Sequence, residues 1–340
     1  MTVMGSDSVD GVDPEQLHRW ILRTAPGYHW TGWQGLDLIR PSLESRILAG
    51  AWEQAVLDPA TEVLVDHDRG TPVAGTFVRP KPMETEHFGV RTEAVANVVA
   101  AAGLDSRRSR VSRLLRRTVA EARDRGTDLL VLRVSADDVE TLSAAQREGF
   151  VVMESTTTWL ADSTLAAGPA SLPPGVEVEI HEGDVATALS PEEIDRLVEH
   201  TARWGLNHFR ADPELDDASI DRFYAEWIPN IAAGEFSDCL FVARSGGRLL
   251  GVHSEISDRT LLDLTGTDLR VCEWVVVLEP GHGAGKALVS TAGRQRFPGG
   301  THHSWETQAR NLQTIRCIEQ TGVARPVRSA YTLHAWPGRR

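Results

Sequence analysis

Residues 278–290 read LEPGHGAGKALVS. Glycines at 281, 283 and 285 alternate there, between a β-rich run, RVCEWVVV, and a segment that reads as helix. Alternating glycines let a backbone come close to a ligand, and the helix start that follows offers unpaired N–H groups and a partial positive charge to an anion. A pyrophosphate suits that arrangement. The Walker loop needs Gly-x-x-x-x-Gly-Lys-Ser/Thr, but Pro280 stands five residues before Gly285 and Ala287 follows Lys286. The dinucleotide fingerprint needs Gly-x-Gly-x-x-Gly at the first strand of a unit, whereas Gly-x-Gly-x-Gly here follows a mid-domain strand. Neither nucleotide pattern fits.

The elements that must position this loop recur. LVDHDRGTPVAG (64–75) and LFVARSGGRLLG (240–251) match in type at an offset of 176, with Gly70 over Gly246 and Gly75 over Gly251. Both read as a β-hairpin. TLSAAQREGFVVMESTTTWL (141–160) and TIRCIEQTGVARPVRSAYTL (314–333) align without a gap at an offset of 173. Each is a helix closed by a C′ glycine, Gly149 or Gly322, followed by an extended segment. One plan is thus used twice, and the Ala-, Pro-, Gly- and Ser-rich stretch near 161–174 places the join. The expected division is 1–162, a linker at 163–174, and 175–340. In the second half, Ser190 and Glu193 have capping-box spacing for a first helix. A second helix, a hairpin, the strand LRVCEWVVV and the glycine turn follow. A helix, the strand HHSWETQ, a helix from Asn311 and the strand SAYTLHAW complete an α/β (α+β) layered fold.

The 340 residues are 41% apolar and 24% charged, ordinary for a soluble globular chain. No apolar run approaches a membrane span, and the start MTVMGSDSVDGVDPEQ is acidic and polar where a signal peptide needs a basic and then an apolar stretch. The expectation is a cytoplasmic protein with no membrane partner. Cys239, Cys272 and Cys317 show no CxxC spacing, so neither a disulfide framework nor a metal site is signalled. A net charge of −13 argues against nucleic acid as a partner; the basic exception is local, SRRSRVSRLLRR at 106–117.

The element order around Gly-x-Gly-x-Gly resembles the acyl-CoA-binding half of the GNAT acyltransferase superfamily. The family loop reads Arg/Gln-x-x-Gly-x-Gly/Ala. Gly283 and Gly285 match its glycines, while Pro280 stands at the Arg/Gln position, leaving Lys286 or His282 to supply a donor. TQARNLQTIRCIEQTG, SAYTLHAW and HFRADPELDDASIDRFYAEWIPN are most similar to the sugar-nucleotide amine acetyltransferases of the fucosamine type. The resemblance covers most of 175–336 and implies tandem domains, each a central mixed, mostly antiparallel sheet flanked by helices. It further implies acetyl-CoA or another acyl-CoA as donor, with no metal. The pyrophosphate would lie on Gly281, His282, Gly283, Ala284, Gly285 and Lys286, and pantetheine along Val275 and Val277, with Asn311 nearby. Asn311 also suits a helix N-cap. In the first half the corresponding loop is DSRRSRVSRLL, where Arg110 and Ser112 replace the glycines, so one working site is expected.

Acyl transfer from a thioester to an amine needs a base for the ammonium, oxyanion stabilisation and an acid for the leaving thiolate. Glu273, a carboxylate in an otherwise apolar strand, is the candidate base, since burial near a cleft would raise its pKa usefully. Aligning the glycines without a gap puts the family's acidic position nearer Asp268 or Leu269, so the register stays open. The family's tyrosine, seven residues beyond the Asn, is Ile318 here. Tyr331, Cys317, His303 or solvent remain as acids. His208 and Arg210 in NHFRADP are acceptor-side candidates, the Arg fork being suited to phosphate or carboxylate. The leading reading is therefore an N-acyltransferase acting on a small-molecule primary amine, such as an amino sugar or natural-product intermediate. Two others stay open. One takes its acyl group from an acyl carrier protein, which the basic stretch 106–117 would suit; the other is a pseudoenzyme that binds a CoA-like ligand or a partner without turnover.

Overall fold

Turn glycines and strand alternation shape the computed structural model of the chain, which describes residues 14–24, 41–101, 107–161, 168, 170, 172–203, 205, 207–297 and 301–339. All structural statements concern these residues. Most of the expected linker 163–174 lies outside them, as does the N-terminal stretch 1–13. The chain forms two compact units, Met1–Ser155 with Ser329–Arg340, and Thr156–Arg328. Each unit thus takes its last strand segment from beyond the expected join.

The first unit runs α1 (Pro14–Thr24), α2 (Pro41–Leu57), β1 (Glu62–Asp68), β2 (Thr71–Pro80), α3 (Pro82–Phe88), β3 (Thr92–Ala100), α4 (Arg107–Asp124), β4 (Leu129–Ser135), α5 (Val139–Arg147) and the start of β5 (Val151–Ala161). β1, β2 and β3 form an antiparallel meander and β3 pairs parallel with β4. Ala330–Ala335 then pair antiparallel with β4. Leu17, Trp20 and Ile21 of α1 and Leu48 and Trp52 of α2 bury against Val63, Val65 and Phe77 on one face. Val111, Leu114 and Leu115 of α4 and Ala144 and Ala145 of α5 cover the other.

The second unit repeats the plan with β6 (Glu177–Glu182), α6 (Pro191–Ala202), α7 (Asp217–Ala233), β7 (Cys239–Ser245), β8 (Arg248–Ser257), α8 (Arg259–Thr265), β9 (Asp268–Val277), α9 (Ala284–Ala292), β10 (Thr301–Gln308), α10 (Leu312–Thr321) and the start of β11 (Ala324–Ala335). β6 to β9 are an antiparallel meander. β10 joins β9 in parallel and takes residues 156–161 of β5 antiparallel on its far side. The expected capping box at Ser190 and Glu193 is formed at the start of α6. Leu197, Ile228 and Ile231 pack on one face of this sheet, and Leu288, Val289 and Ile318 on the other. No helix among the described residues is long and apolar enough to cross a membrane.

The hairpin turns show how the repeat is built. Tight hairpin turns want left-handed backbone at both central positions. Arg69 (φ +50°) and Gly70 (φ +78°) provide it in one unit, Gly246 (φ +56°) and Gly247 (φ +78°) in the other. By turn geometry Gly70 therefore matches Gly247, one residue on from the letter match, because Arg69 holds a place that glycine takes in the second turn. Gly75 and Gly251 accordingly face opposite ways. A Cβ on Gly75 would stand 2.8 Å from Trp52 in α2, and one on Gly251 2.5 Å from the Val276 carbonyl oxygen and 3.4 Å from Leu288 in α9. The Val276 carbonyl belongs to a paired strand and cannot retreat without breaking the ladder. Gly251→Ala is expected to lower the unfolding free energy by about 1–3 kcal/mol, measured by urea denaturation.

Candidate active site of the second unit

β9 contains one residue more than β8 requires. Ser254 pairs with Trp274 and Glu255 with Cys272, so Glu273 is the extra residue of a β-bulge. A bulge re-aims the side chains that follow it. Cys272 packs with the core under α9 and α10, whereas Trp274, two residues on, packs with the core under α6 and α7. Glu273 is exposed, yet the protein surrounding its carboxyl raises its pKa by desolvation, which describes a recess open to water.

The partner strand leaves β9 at the same place. The parallel pairing with β10 runs from Thr301 opposite Asp268 to Ser304 opposite Val271 and stops. Trp305–Gln308 continue only along β5. Leu278 N–H donates to the Leu250 carbonyl on β8 (2.8 Å), so by strand alternation the N–H and C=O groups of Val275 and Val277 point away from β8, into the opening. Among the described residues no strand pairs with that edge.

The glycine turn lies at the far end of this edge. Gly281 (φ +93°) and Gly283 (φ +78°) are left-handed, and Gly283 caps α9 without any side chain. The first turn of α9 closes with Ala287 N–H donating to the Gly283 carbonyl, which leaves the N–H groups of Ala284, Gly285 and Lys286 without an intrahelical partner. A Cβ at Gly283 would meet Pro173 at 2.6 Å, and one at Gly285 would meet Cys317 Sγ at 3.2 Å and Val277 at 3.3 Å. Both glycines thus also serve close packing. Lys286 is half-buried and its charge acts on the Cys317 thiol, whereas His282 is exposed and 3.8 Å from Glu279. An exposed strand edge leading to free helix-start amides fits an extended amide-bearing arm that ends in pyrophosphate.

Behind the bulge lies a buried cluster that the sequence did not announce. His253 Nε2 is 2.8 Å from Glu255 Oε1, and His303 Nδ1 is 3.1 and 3.0 Å from the two Glu255 oxygens. His303 Nε2 is 3.1 Å from the Gln295 carbonyl, and Cys272 Sγ is 4.0 Å from His253 Nδ1. All three ionisable side chains His253, Glu255 and His303 are 0% exposed. Burial alone would raise the Glu255 carboxyl, but the His303 and His253 rings more than offset that and hold it well below the ordinary carboxylate range. Burial, with the Glu255 and Glu273 carboxylates nearby, holds the Cys272 thiol well above its usual pKa. The donors follow from the acceptors. A carbonyl only accepts, so His303 Nε2 donates to Gln295, while Nδ1 faces both Glu255 oxygens.

The other sequence candidates divide. Asn311 is buried and caps α10, its side chain accepting from Thr314 N–H at 3.2 Å. Ile318, at the family's tyrosine position, is 0% exposed in the core. His303 is sealed inside the cluster rather than open to a ligand. Tyr331 lies in the segment that closes the first unit, where it packs against that unit's core. Arg210 donates to Asp217 (2.8 Å), Asp221 and the Ala202 carbonyl (2.6 Å), so its fork is held by its own chain. The His208 ring lies tilted at 42° against Phe209, with ring centroids 3.9 Å apart.

In the first unit β3 also carries an irregularity, and Asn97 there has φ +52°, but the local run is Val-Ala-Asn-Val with no carboxylate. Arg110 is buried and donates to the Ala101 carbonyl at 2.8 Å, and Ser112 donates to Glu148. Four arginines of the basic stretch are paired inside the unit: Arg107 with Asp138, Arg113 with Asp66, Arg116 with Glu148 and Arg117 with Glu121.

No protein-family model matches the chain. Over 136 residues in its second part it is 33% identical to a dTDP-fucosamine acetyltransferase of Escherichia coli O6:H1, a match covering 39% of this chain and 55% of that protein. The chain therefore spans only about half the length of that relative. A tandem GNAT protein from the clavulanic acid biosynthesis pathway superposes with a TM-score of 0.56 at 16% identity, covering 98% of this chain and 97% of the other. A GCN5-related N-acetyltransferase from Sphaerobacter thermophilus gives a TM-score of 0.56 at 12% identity over 96% and 94% of the two chains. With a mixed sheet repeated in two units and both ends of the chain included, this protein has the tandem GNAT fold.

Proposed function

We propose that the chain is a cytoplasmic N-acyltransferase whose second unit takes an acyl group from acyl-CoA and transfers it to a primary amine of a small molecule. The observation that carries this reading is the opening beside β9, which begins at the Glu273 bulge and ends at the uncapped start of α9. In this reading Val275 and Val277 pair with the amides of the pantetheine arm. The pyrophosphate rests on the amides of residues 284–286 with Lys286 beside it, so the thioester comes to lie at the bulge. Glu273 takes a proton from the acceptor ammonium; its recess raises the carboxyl toward the range a general base needs. The acceptor class is an amino sugar carried on a nucleotide, supported by the second part's likeness to an enzyme named for dTDP-fucosamine. The first unit holds no acyl donor, because Arg110 fills the strand end that the glycine turn leaves open in the second. A carrier-protein donor is less well supported, since the arginines of α4 that would meet it are paired within the unit.

Calorimetric titration with acetyl-CoA is expected to give micromolar binding, and Lys286→Glu to weaken it about tenfold by reversing a charge at the helix start. Absence of binding by the unaltered protein would overturn the acyl-CoA reading.

Glu273→Gln is expected to lower turnover of a nucleotide-linked amino sugar by roughly a hundredfold or more. The base must be ionised to act, and its pKa is raised. The rate of the unaltered enzyme should therefore fall on the acid side at a pH above the ordinary carboxylate value, and Glu273→Gln should lose that limb of the profile. An unchanged profile would remove Glu273 from the role. Binding of acetyl-CoA with no turnover across amine acceptors would favour the non-catalytic reading instead.

A further inference from the structure

We infer that Glu255 and His303 are positioning residues, whose contact across β9 holds the opening in the shape that receives the acyl donor. The inference rests on the acyl-CoA reading of that opening and adds the buried pair that keeps it in place.

The pair joins the elements that define the opening. Glu255, on β8, pairs with Cys272, the residue before the bulge. His303, on β10, precedes Ser304, the last residue of β10 that pairs with β9. His303 Nδ1 lies 3.1 and 3.0 Å from the two Glu255 oxygens, so the contact ties β8 to β10 across the strand between them. The other ring nitrogen donates to the Gln295 carbonyl at 3.1 Å. Gln295 is itself tied back to Thr291 and Ala292 at the end of α9, so the same ring also holds the helix that the glycine turn starts. Two further contacts fix the pair. His253 Nε2 is 2.8 Å from Glu255 Oε1, and the His303 ring stacks on Trp305 with centroids 6.0 Å apart and planes 19° apart.

The contact sits where the sheet divides. Beyond Ser304, β10 keeps backbone bonds only to β5 among the described residues, so no ladder sets how far it stands from β9. A side-chain tie one residue before the division fixes the angle at which β10 leaves. Burial opposes a charge on Glu255, and the His303 and His253 rings outweigh it, so an ionised carboxylate is held in a place with no access to water. Shifting such a group leaves its charge uncompensated, which makes the tie stiffer than an apolar contact of the same size. The first unit, which the reading leaves without a donor, has Val78, Val95 and Leu132 of β2, β3 and β4 in the apolar core under α4 and α5. Apolar packing therefore suffices where no donor is to be held.

The test titrates acetyl-CoA by calorimetry into the full chain and four variants, each melted alongside. His303→Phe keeps a ring beside Trp305 and removes both hydrogen bonds. Glu255→Gln removes the charge. His303→Asn places an amide where Nδ1 stands and loses only the contact to Gln295. Val242→Ala opens a cavity on β7, in the core under α6 and α7, and is the control for lost stability. His303→Phe and Glu255→Gln are expected to weaken binding about tenfold, and His303→Asn no more than about threefold. Val242→Ala is expected to melt lower and bind as the unaltered protein does. If either of the first two fails to fold, the other carries the test; failure of both marks the pair as core alone and overturns the inference. A folded His303→Phe or Glu255→Gln with unchanged affinity overturns it and leaves the acyl-CoA reading standing. So does weakening that Val242→Ala shares, or a loss in His303→Asn as large as in His303→Phe. No binding by the unaltered protein overturns both.

Discussion

One extra residue in β9 decides what the second unit can hold. Without the bulge at Glu273, residues 272–274 would alternate regularly and Cys272 and Trp274 would share a face. With it, the strand turns over and Val275 and Val277 present backbone groups to an edge that no strand covers. Such an edge is costly in a folded interior unless water or a ligand meets it. The ties that keep the sheet from closing over it lie just behind the bulge. His303 on β10 reaches across β9 to Glu255 on β8, next to the last paired residues of β9 and β10.

The first unit shows what the same plan becomes without those residues. It has the meander, the parallel fourth strand and the irregularity in β3, but Asn97 cannot take up a proton as a carboxylate does. Where the second unit leaves helix-start amides free, Arg110 turns its guanidinium onto the Ala101 carbonyl. An arginine buried in this way satisfies the strand end and fills the space a ligand would need. The neighbouring arginines of α4 are balanced by Asp66, Glu121, Asp138 and Glu148, so a stretch that reads as strongly basic contributes little free positive charge.

What could be read from the letters was what local physics dictates. The turn glycines, the capping box at Ser190, the N-cap at Asn311 and most of the order of strands and helices depend on neighbours in sequence and stand as expected; α8, between the hairpin and β9, does not. The glycine turn was legible for the same reason. What stayed hidden depends on pairing across strands. Glu273 could be named as a carboxylate in an apolar strand, but its status as a bulge exists only relative to β8. His253, Glu255 and Cys272 lie on two strands and His303 on a third, with no motif spacing to join them. Nor does any local signal show that Thr156–Ala161 and Ser329–Arg340 are exchanged between the units, because each segment continues a helix–strand unit that reads correctly on its own. The hairpin offset slipped by one for a related reason: letters matched glycine to glycine, while the turn matched left-handed backbone, which Arg69 also adopts.

The family's tyrosine position is filled by an apolar residue here. In α10 the residue that the family resemblance makes a proton donor is Ile318, and it is sealed in the core, while its neighbour Cys317 packs against Gly285 beside the glycine turn. In the acyl-CoA reading, α10 therefore contributes no tyrosine to the reaction. Every proton-bearing group near the bulge comes instead from the sheet: Glu273 at the surface of β9, Cys272 beside it and His253 one strand over. A sheet holds such groups at fixed spacing because each is pinned by its ladder bonds as well as by its partners. In the acyl-CoA reading, the groups able to carry a proton lie on the strands whose separation creates the opening.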